Sequence, residues 1–252
     1  MIELAHIYRH PIKSIGVEEV SGASLTKGRA LPFDRVWGLL HEAAAPADET
    51  GWQHKRNFLR GAASGPLMAV KARFDAARGA MTLSHPERPD LTLDLSGDLT
   101  KPSADLAAWT LPLWPQNRPA AAHLTRRDAG FGDVPNPYLA LIGTASIEAL
   151  SAVMARPISR LRWRANLWLD GLDPFAEFDL VGKHLRIGDA ELQVCARITR
   201  CVATTADPDT GNDGGDTLAA LNATYGHQDL GVYAKVTRSG DIARGDAVEI
   251  LT

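Results

Sequence analysis

The sequence predicts a mainly β protein of the α+β class, in which β-barrel-like units carry a few helices. Many short runs alternate between apolar and polar residues with a period of two, the pattern of half-buried strands. Clusters of Gly, Pro, Asn and Asp separate these runs, and only a few segments have the spacing of an amphipathic helix. Three prolines between residues 112 and 121 indicate a boundary, so we expect two domains, residues 1–116 and 117–252.

The composition excludes several classes of function. The 252 residues carry a net charge of −3, which offers no basic surface to nucleic acid or to an anionic membrane. No run approaches the roughly 20 apolar residues of a membrane span, and the first residues lack the pattern of a signal peptide. Two cysteines are too few for a disulfide framework or an iron–sulfur cluster. We therefore expect a cytoplasmic protein.

The first strand leads to a candidate binding position. Residues 2–9 alternate with a period of two, and Pro11 ends the predicted strand because proline cannot donate to a strand ladder. Lys13 and Ser14 then place a cation and a hydroxyl at the strand end, a usual position for ligand contacts, although a solvated turn has the same composition. Further strands are predicted at residues 17–26, 34–40, 67–74, 80–84 and 91–95.

The rest of the first half contains one candidate site residue, a loop and a helix. Arg35 lies between Asp34 and apolar residues, so it is either an ion-paired structural arginine or a fork for an anion. Residues 41–65 are polar and predict a loop, whose basic cluster at residues 54–57 is typical of a solvated face. Ser103 is expected to cap a short helix over residues 103–109.

The second half contains two predicted helices. Thr144 is expected to cap the first, whose apolar face includes Ile147 and Leu150, and Asp216 begins the second, which ends at Gly226. The other predicted elements are a hairpin over residues 183–194 that turns at Gly188-Asp189, and two strands over residues 231–251.

Three arginines alternate with apolar residues between residues 160 and 169. This alternation predicts a strand with Arg160, Arg162 and Arg164 on one face. Like charges on one face repel each other, so the face is either open to water or neutralised by a bound anion.

The segment from Arg200 to Gly211 carries the most reactive chemistry in the sequence. Cys201 follows Arg200 directly, and a neighbouring cation favours the thiolate, which is a nucleophile and a soft-metal ligand. Hydroxyls and turn amides follow and could bind an anion. A small buried hydrophobe before an Asp-Pro turn is the alternative, and Asp207 is either a proton donor or a turn residue. The other cysteine, Cys195, is expected to be buried and inert.

These segments together resemble one protein family, the MOSC proteins that carry an N-terminal MOSC β-barrel domain. The family includes the mitochondrial amidoxime-reducing component and its bacterial relatives, and the resemblance covers nearly the whole chain. The Lys-Ser pair near the start and the Cys-to-Gly run near the end are specific in combination. The matching segments are residues 8–14, 34–37, 162–167, 175–177, 200–211 and 245–251.

The resemblance implies a molybdenum cofactor, in which a pterin dithiolene and the thiolate of Cys201 hold one metal. It implies an N-terminal MOSC-type barrel-like domain, a MOSC β-barrel domain and, at family level, pyridoxal phosphate binding. Asn136 and Thr210 are expected as further polar contacts at the pocket. The residues implied to bind the pterin and its phosphate are Lys13, Ser14, Arg35, Arg164, Asn166 and Arg200.

The implied activity is reduction of N-hydroxylated compounds such as amidoximes, hydroxylamines and N-hydroxy base analogues. Because the ferredoxin-like extension of some relatives is missing, electrons are expected from a separate ferredoxin-, flavodoxin- or cytochrome b5-like protein. Trp163, Ala165 and Ala206 depart mildly from the family pattern, and residues 41–65 lack its usual Thr-Ala-Arg-Gln run, which leaves the substrate open. Two alternatives remain: a cofactor or sulfur carrier with a Cys201 persulfide, and a non-catalytic module that binds an anion.

Overall fold

The computed structural model describes residues 1–251 and confirms a mainly β fold, with fifteen strands and three α-helices over that range. The strands are β1 (Glu3–Arg9), β2 (Glu18–Val20), β3 (Gly22–Leu25), β4 (Trp37–His41), β5 (Lys71–Asp75), β6 (Ala80–His85), β7 (Arg88–Asp94), β8 (Ala121–Arg126), β9 (Leu139–Gly143), β10 (Leu167–Asp170), β11 (His184–Ile187), β12 (Ala190–Thr199), β13 (Asp229–Arg238), β14 (Gly240–Ala243) and β15 (Val248–Leu251). The helices are α1 (Thr100–Thr110), α2 (Thr144–Val153) and α3 (Thr217–Tyr225).

One sheet of eight strands contains most strands of the second half of the chain and also β1 and β2 from the first half. Its order is β15-β11-β12-β13-β9-β10-β1-β2, and only the β9–β10 pair is parallel. Alternate residues of these strands face a core that contains Leu4, Leu141 and Leu167, all fully buried. The sheet therefore places the end of β1 beside the beginnings of β9 and β10.

The remaining sheets build the first half. Strands β5, β6 and β7 form an antiparallel meander, β4 pairs with β8, and β3 pairs with β14 from the far end of the chain. A second core fills this half around Trp37, Phe74 and Leu106. Residues 42–64 hold no strand and one short 3-10 helix, Lys55–Asn57, as expected of the loop predicted over residues 41–65.

The predicted strand over residues 160–169 is wrong in its first half. Arg160–Trp163 is a 3-10 helix, and the strand begins only at Leu167. The hydroxyl of Ser159 accepts a hydrogen bond from the amide of Leu161 at 3.3 Å, which caps this turn, and Arg164 ends it with a φ of +49°. The three arginines therefore do not share a strand face.

The single strand predicted over residues 17–26 is two strands, β2 and β3, in different sheets, and β13, β14 and β15 take the place of the two strands predicted over residues 231–251. The predicted helices are present, but two of them lack the expected caps. Ser103 and Thr144 do not cap α1 and α2: Ser103 accepts the amide of Leu124 at 2.8 Å, and Thr144 donates to Asp170 at 2.8 Å. Asp216 does cap α3, and its carboxylate accepts two backbone amides.

The predicted hairpin is present, because β11 and β12 are antiparallel and turn at Gly188 with a φ of +53°. The predicted run over 67–74 begins instead as a 3-10 helix, Gly65–Ala69, before β5. None of the helices in residues 1–251 is long and apolar enough to cross a membrane.

Candidate functional site

A cavity of about 210 Å³ opens where segments of both halves meet. Its wall contains the turn after β1, the loops before β4 and β9, the 3-10 helix at Arg160–Trp163, and the segment after β12. Eight of the nine predicted site residues line it: Lys13, Ser14, Arg35, Asn136, Arg164, Asn166, Arg200 and Cys201.

The turn after β1 presents Lys13 and Ser14 to the cavity. The amide of Ile15 donates to the carbonyl of Ile12 at 3.0 Å, and Ser14 has a φ of +63° at the third position of this turn. A type II turn needs a positive φ there and usually has glycine, so the serine is in a strained conformation. Such strain is typical of a functional side chain held in place by the surrounding structure.

Lys13 is buried and paired with an acid that the sequence did not single out. Its Nζ donates to an oxygen of Asp133 at 2.6 Å and to the carbonyl of Phe131 at 2.8 Å. Burial lowers the pKa of Lys13, while Asp133 opposes that shift. In turn, burial raises the pKa of Asp133, but Lys13 outweighs it and holds that pKa below its usual range.

A buried network of three side chains holds Arg35. Asp34 pairs with the Arg35 guanidinium and accepts the backbone amide of His10 at 2.8 Å, and His10 Nδ1 lies 3.2 Å from the same carboxylate. Burial raises the pKa of Asp34, but Arg35 outweighs it and holds that pKa below its ordinary range. Burial, with Arg164 and Arg35, lowers the pKa of His10 to about 3, so the ring is neutral at pH 7. Arg35 is thus ion-paired, as the first of the two predicted alternatives has it, and it also lies on the cavity wall.

Arg164 presents an under-bonded guanidinium to the cavity. It ends the 3-10 helix with a φ of +49°, and Arg35 holds it there by donating to its carbonyl at 2.9 Å. The Arg164 side chain makes one long hydrogen bond, 3.5 Å to the carbonyl of Ile12. Burial, and then the charge of Arg35, lower the pKa of Arg164 to about 9. The side chain is therefore a donor set that an anion would satisfy.

Arg200 is held rigidly next to Cys201. Its guanidinium donates to the carbonyls of Leu230 at 2.7 Å and Trp163 at 3.0 Å, and it lies over the Trp163 ring. Its Nη2 is buried and has no hydrogen-bond partner among the described residues. Burial lowers the pKa of Arg200 to about 10. An unsatisfied buried donor costs free energy, which a ligand would recover.

Cys201 is exposed on the cavity wall with a free thiol. It lies between the end of β12 and a 3-10 helix, Val202–Thr205, and its carbonyl accepts the Thr204 hydroxyl at 3.0 Å. The alternative of a small buried hydrophobe is therefore wrong. Cys195 is half-buried rather than buried, and its thiol donates to the carbonyl of Gln193 at 3.3 Å.

Arg162 supports the segment that carries Cys201. It is 1% exposed and donates to the carbonyls of Thr204 at 3.1 Å and Gly214 at 3.3 Å. These bonds tie both ends of the turn after Cys201 to the 3-10 helix. Arg162 is therefore held by the chain itself, apart from a buried Nε without a partner among the described residues, whereas Arg164 makes only one long side-chain hydrogen bond.

The three polar residues of the predicted set differ in placement. Asn166 joins two strands: its amide donates to the carbonyl of Tyr8 and its oxygen accepts the amide of Ala140, both at 3.1 Å. Asn136 is exposed at the cavity rim. Thr210 lies outside the wall, in an exposed turn where its hydroxyl accepts the amide of Asn212 at 3.3 Å.

The wall also holds polar residues that are absent from the sequence-based prediction, among them two tyrosines, an acid and two cations. Asp133 lies in a loop without a recognisable motif, and its role is apparent only from its ion pair with Lys13 in the folded chain. Tyr138 and Tyr233 stack with ring centroids 5.4 Å apart, and Lys55 and Arg60 come from the loop interpreted as a solvated face.

The wall has an excess of positive charge. Among residues 1–251 it includes seven arginine or lysine residues and two acids, a balance of +5 in a chain of net charge −3. The cations are Lys13, Lys55, Arg35, Arg60, Arg162, Arg164 and Arg200, and the acids are Asp34 and Asp133. A cavity of this charge binds anions.

Comparison with known families assigns both halves. The MOSC N-terminal beta barrel domain matches residues 1–126, which is half of the chain, and the MOSC domain matches residues 131–249. The chain belongs to the MOSC family, in the group that carries the N-terminal beta barrel domain.

Relatives with a curated description match over part of the chain. Mouse mitochondrial amidoxime-reducing component 1 is 32% identical over 143 residues, which are 52% of this chain and 41% of that protein. The human component 1 is 30% identical over 46% of this chain and 37% of that protein. The molybdenum cofactor sulfurase of Caenorhabditis elegans is 33% identical over 40% of this chain and 14% of its own length. The matches thus span less than half the length of these relatives.

The solved structures show distant similarity. The YUAD protein from Bacillus subtilis aligns over 99% of this chain and 96% of its own, with a TM-score of 0.47 and 12% identity.

The residues of the wall fit the cofactor that the family implies. A molybdenum cofactor presents a phosphate and a metal that accepts soft ligands. The orphan Nη2 of Arg200 and the under-bonded Arg164 suit the phosphate, and the exposed thiol of Cys201 suits the metal. Within residues 1–251, no three His, Cys, Asp or Glu side chains converge as a metal site of their own.

Proposed function

We propose that this protein is a molybdenum-cofactor-dependent oxidoreductase that reduces N-hydroxylated compounds. The observation that carries the proposal is the exposed, free thiol of Cys201, which follows Arg200 in the chain, on the wall of a cavity with an excess of positive charge. Membership of the MOSC family and the similarity to amidoxime-reducing components support the reaction class.

The chain's own residues divide the work of holding the cofactor. Arg164 and Arg200 bind the phosphate, Lys13 and Ser14 bind polar edges of the pterin, and Cys201 is the protein's ligand to the metal. When bound, the cofactor supplies the two-electron reduction of an N–O bond. Arg35 is a positioning residue, because its hydrogen bond to the carbonyl of Arg164 orients that residue. Asn136, Asn166 and Thr210 remain proposed polar contacts. Of these, Asn166 is held in place by hydrogen bonds to the backbone of Tyr8 and Ala140.

Proton transfer can be provided at the rim. Burial raises the pKa of Tyr233, with Asp133 adding to it, which keeps its phenol protonated and able to donate. Asp133 is an ionised acceptor on the same wall, and Asp207 instead accepts the amides of its own turn, at 2.8 Å for Asp209. Tyr233 and Asp133 are therefore stronger proposals for proton handling than Asp207.

The proposal includes a separate electron-donor protein, of ferredoxin, flavodoxin or cytochrome b5 type, and a location in the cytoplasm. Pyridoxal phosphate was expected from the resemblance alone and is not proposed further.

Turnover tests the proposal directly. The protein is produced in a host that makes molybdenum cofactor, and benzamidoxime is offered with reduced methyl viologen as electron donor. We expect benzamidine to form at a rate at least about a hundredfold above that of the Cys201→Ser variant. Formation at equal rates in the two proteins, or none in cofactor-loaded protein, would reject the reductase.

The carrier alternative keeps one favouring observation. Cys201 is exposed and free, as a persulfide carrier needs, and the chain resembles a molybdenum cofactor sulfurase in part. Mass spectrometry of the loaded protein separates the two readings: a carrier shows Cys201 at 32 Da above its reduced mass, roughly one sulfur atom, and no turnover.

A further inference from the structure

Two cations of the cavity wall, Lys55 and Arg60, form no salt bridge within residues 1–251. Lys55 is exposed, and Arg60 is half-buried with no side-chain hydrogen bond in that range. Both add to a wall that already has an excess of positive charge, which favours an anion near them.

The other five cations of the wall have counter-charges. Arg164 and Arg200 together balance a phosphate dianion on the proposed cofactor. Three more have acids of the chain nearby: Lys13 has Asp133, Arg35 has Asp34, and Arg162 has Asp207 and Asp213. Lys55 acts on Asp133, which is already paired with Lys13, so Lys55 and Arg60 are the wall cations without an acid of their own within residues 1–251.

The segment that carries Arg60 passes beside the reactive thiol. A Cβ at Gly61 would lie 3.6 Å from that of Ala203, which is two residues after Cys201. Lys55 begins the 3-10 helix of the same loop, and its charge reaches Asp133 across the cavity, where it helps to lower that residue's pKa. The loop that carries both cations therefore passes beside the segment of Cys201, and both side chains line the same cavity as that thiol.

We propose that Lys55 and Arg60 form an anion-binding subsite, which selects N-hydroxylated substrates that carry a carboxylate or phosphate away from the N–O bond. The inference rests on the proposed function for the identity of the reacting group. The guanidinium of an arginine can donate two parallel hydrogen bonds to such an anion, and the ammonium of a lysine adds a positive charge.

Binding without turnover tests the subsite. Calorimetry on cofactor-loaded protein, with no electron donor, compares 4-carboxybenzamidoxime with its neutral carboxamide of equal shape. The phosphate ester of 4-hydroxybenzamidoxime forms a third arm and separates phosphate from carboxylate. We expect at least one anionic compound to bind about tenfold more tightly than the carboxamide at low salt, with the advantage shrinking at high salt.

Three variants locate the effect. Lys55→Gln combined with Arg60→Gln is expected to reduce the anion-to-carboxamide affinity ratio to within about twofold of unity. Arg56→Gln removes an exposed cation of the same loop that is not part of the wall, and it keeps the wild-type ratio. Equal affinities in the wild type, absent binding of the anions, or an unchanged ratio in the double variant would overturn the subsite.

The two proposals fail separately. If the affinity ratio is as expected but neither compound is reduced when methyl viologen is added, the reductase fails and the anion subsite stands. If the carboxamide is reduced and the anions gain nothing, the subsite fails and the reductase stands. If Lys55 and Arg60 instead bind an acidic electron-donor protein, the anionic compounds gain no affinity, because that protein is absent from the calorimetry. The subsite proposal then fails.

Discussion

The ammonium of Lys13 lies 2.6 Å from a carboxylate oxygen of Asp133, and this ion pair joins two segments that are 120 residues apart in the chain. Lys13 follows the first strand, and Asp133 precedes β9, so the pair spans the line along which the two matched domains meet. The side chain of Lys13 is 3% exposed and that of Asp133 is 53% exposed. The cost of removing charge from water therefore falls mainly on the buried lysine.

Asp133→Asn is expected to lower the free energy of unfolding by about 3 kcal/mol, because it leaves the Lys13 charge buried without its partner. Urea unfolding of protein made without cofactor measures this. The double variant Lys13→Met/Asp133→Asn should recover part of the loss, since no charge is then stranded. Equal losses in the single and double variants would show that the pair is unimportant for stability.

Arg164 and Arg162 should respond in opposite ways to the same substitution. Arg162→Gln removes bonds to two buried carbonyls and should destabilise the protein by about 3 kcal/mol. Arg164→Gln removes a costly charge and should raise the free energy of unfolding of the empty protein by about 1 kcal/mol, while pterin content falls. Thermal unfolding and pterin analysis of both variants measure this. A destabilised Arg164→Gln protein with normal pterin content would contradict the assignment.

The stability of the protein should depend on His10 below neutral pH. The pKa of His10 is lowered to about 3 by burial, with Arg164 and Arg35 adding to it, so between about pH 6.5 and 3 the unfolded chain takes up a proton that the folded protein does not. Stability from a neutral His10 is complete above that window and is lost as pH falls, by up to about 1.4 kcal/mol per pH unit.

Urea unfolding at several pH values compares the wild type with His10→Asn, in which the amide can replace Nδ1 beside Asp34. The stability of the variant should fall less steeply between pH 6.5 and 4.5. His123→Asn changes an exposed histidine and serves as the matched control. Parallel curves for wild type and His10→Asn would contradict the neutral, buried imidazole.

Much of the site was predictable from the sequence because several of its chemically distinctive residues are adjacent in the chain. Lys13-Ser14 and Arg200-Cys201 each combine a cation with a hydroxyl or thiol, and both stand at strand ends. The residues that escaped prediction depend on distance. Asp133 is unremarkable until folding brings it to Lys13, and Lys55 reads as a surface residue until its loop is seen beside the cavity.

Backbone conformation was the second limit. Ser14, Arg35 and Arg164 all have positive φ values, at 63°, 55° and 49°, and a sequence pattern does not announce a side chain in a conformation that favours glycine. The alternation at residues 160–165 mimicked a strand because Trp163 and Ala165 are indeed buried, but from a 3-10 helix and the residues after it. The boundary placed at residues 116 and 117 stays a prediction, and β8, which lies beyond it, pairs with β4.

The central claim is that Cys201 is the protein's bond to molybdenum, and metal and pterin content of the purified protein test it most directly. Produced in a host that makes the cofactor, the wild type should hold about one molybdenum and one pterin per chain, and Cys201→Ser at least about tenfold less molybdenum. Cys195→Ser changes the other thiol, which is not on the cavity wall, and should match the wild type. A wild type without molybdenum, or a Cys201→Ser protein that retains it in full, would contradict the account.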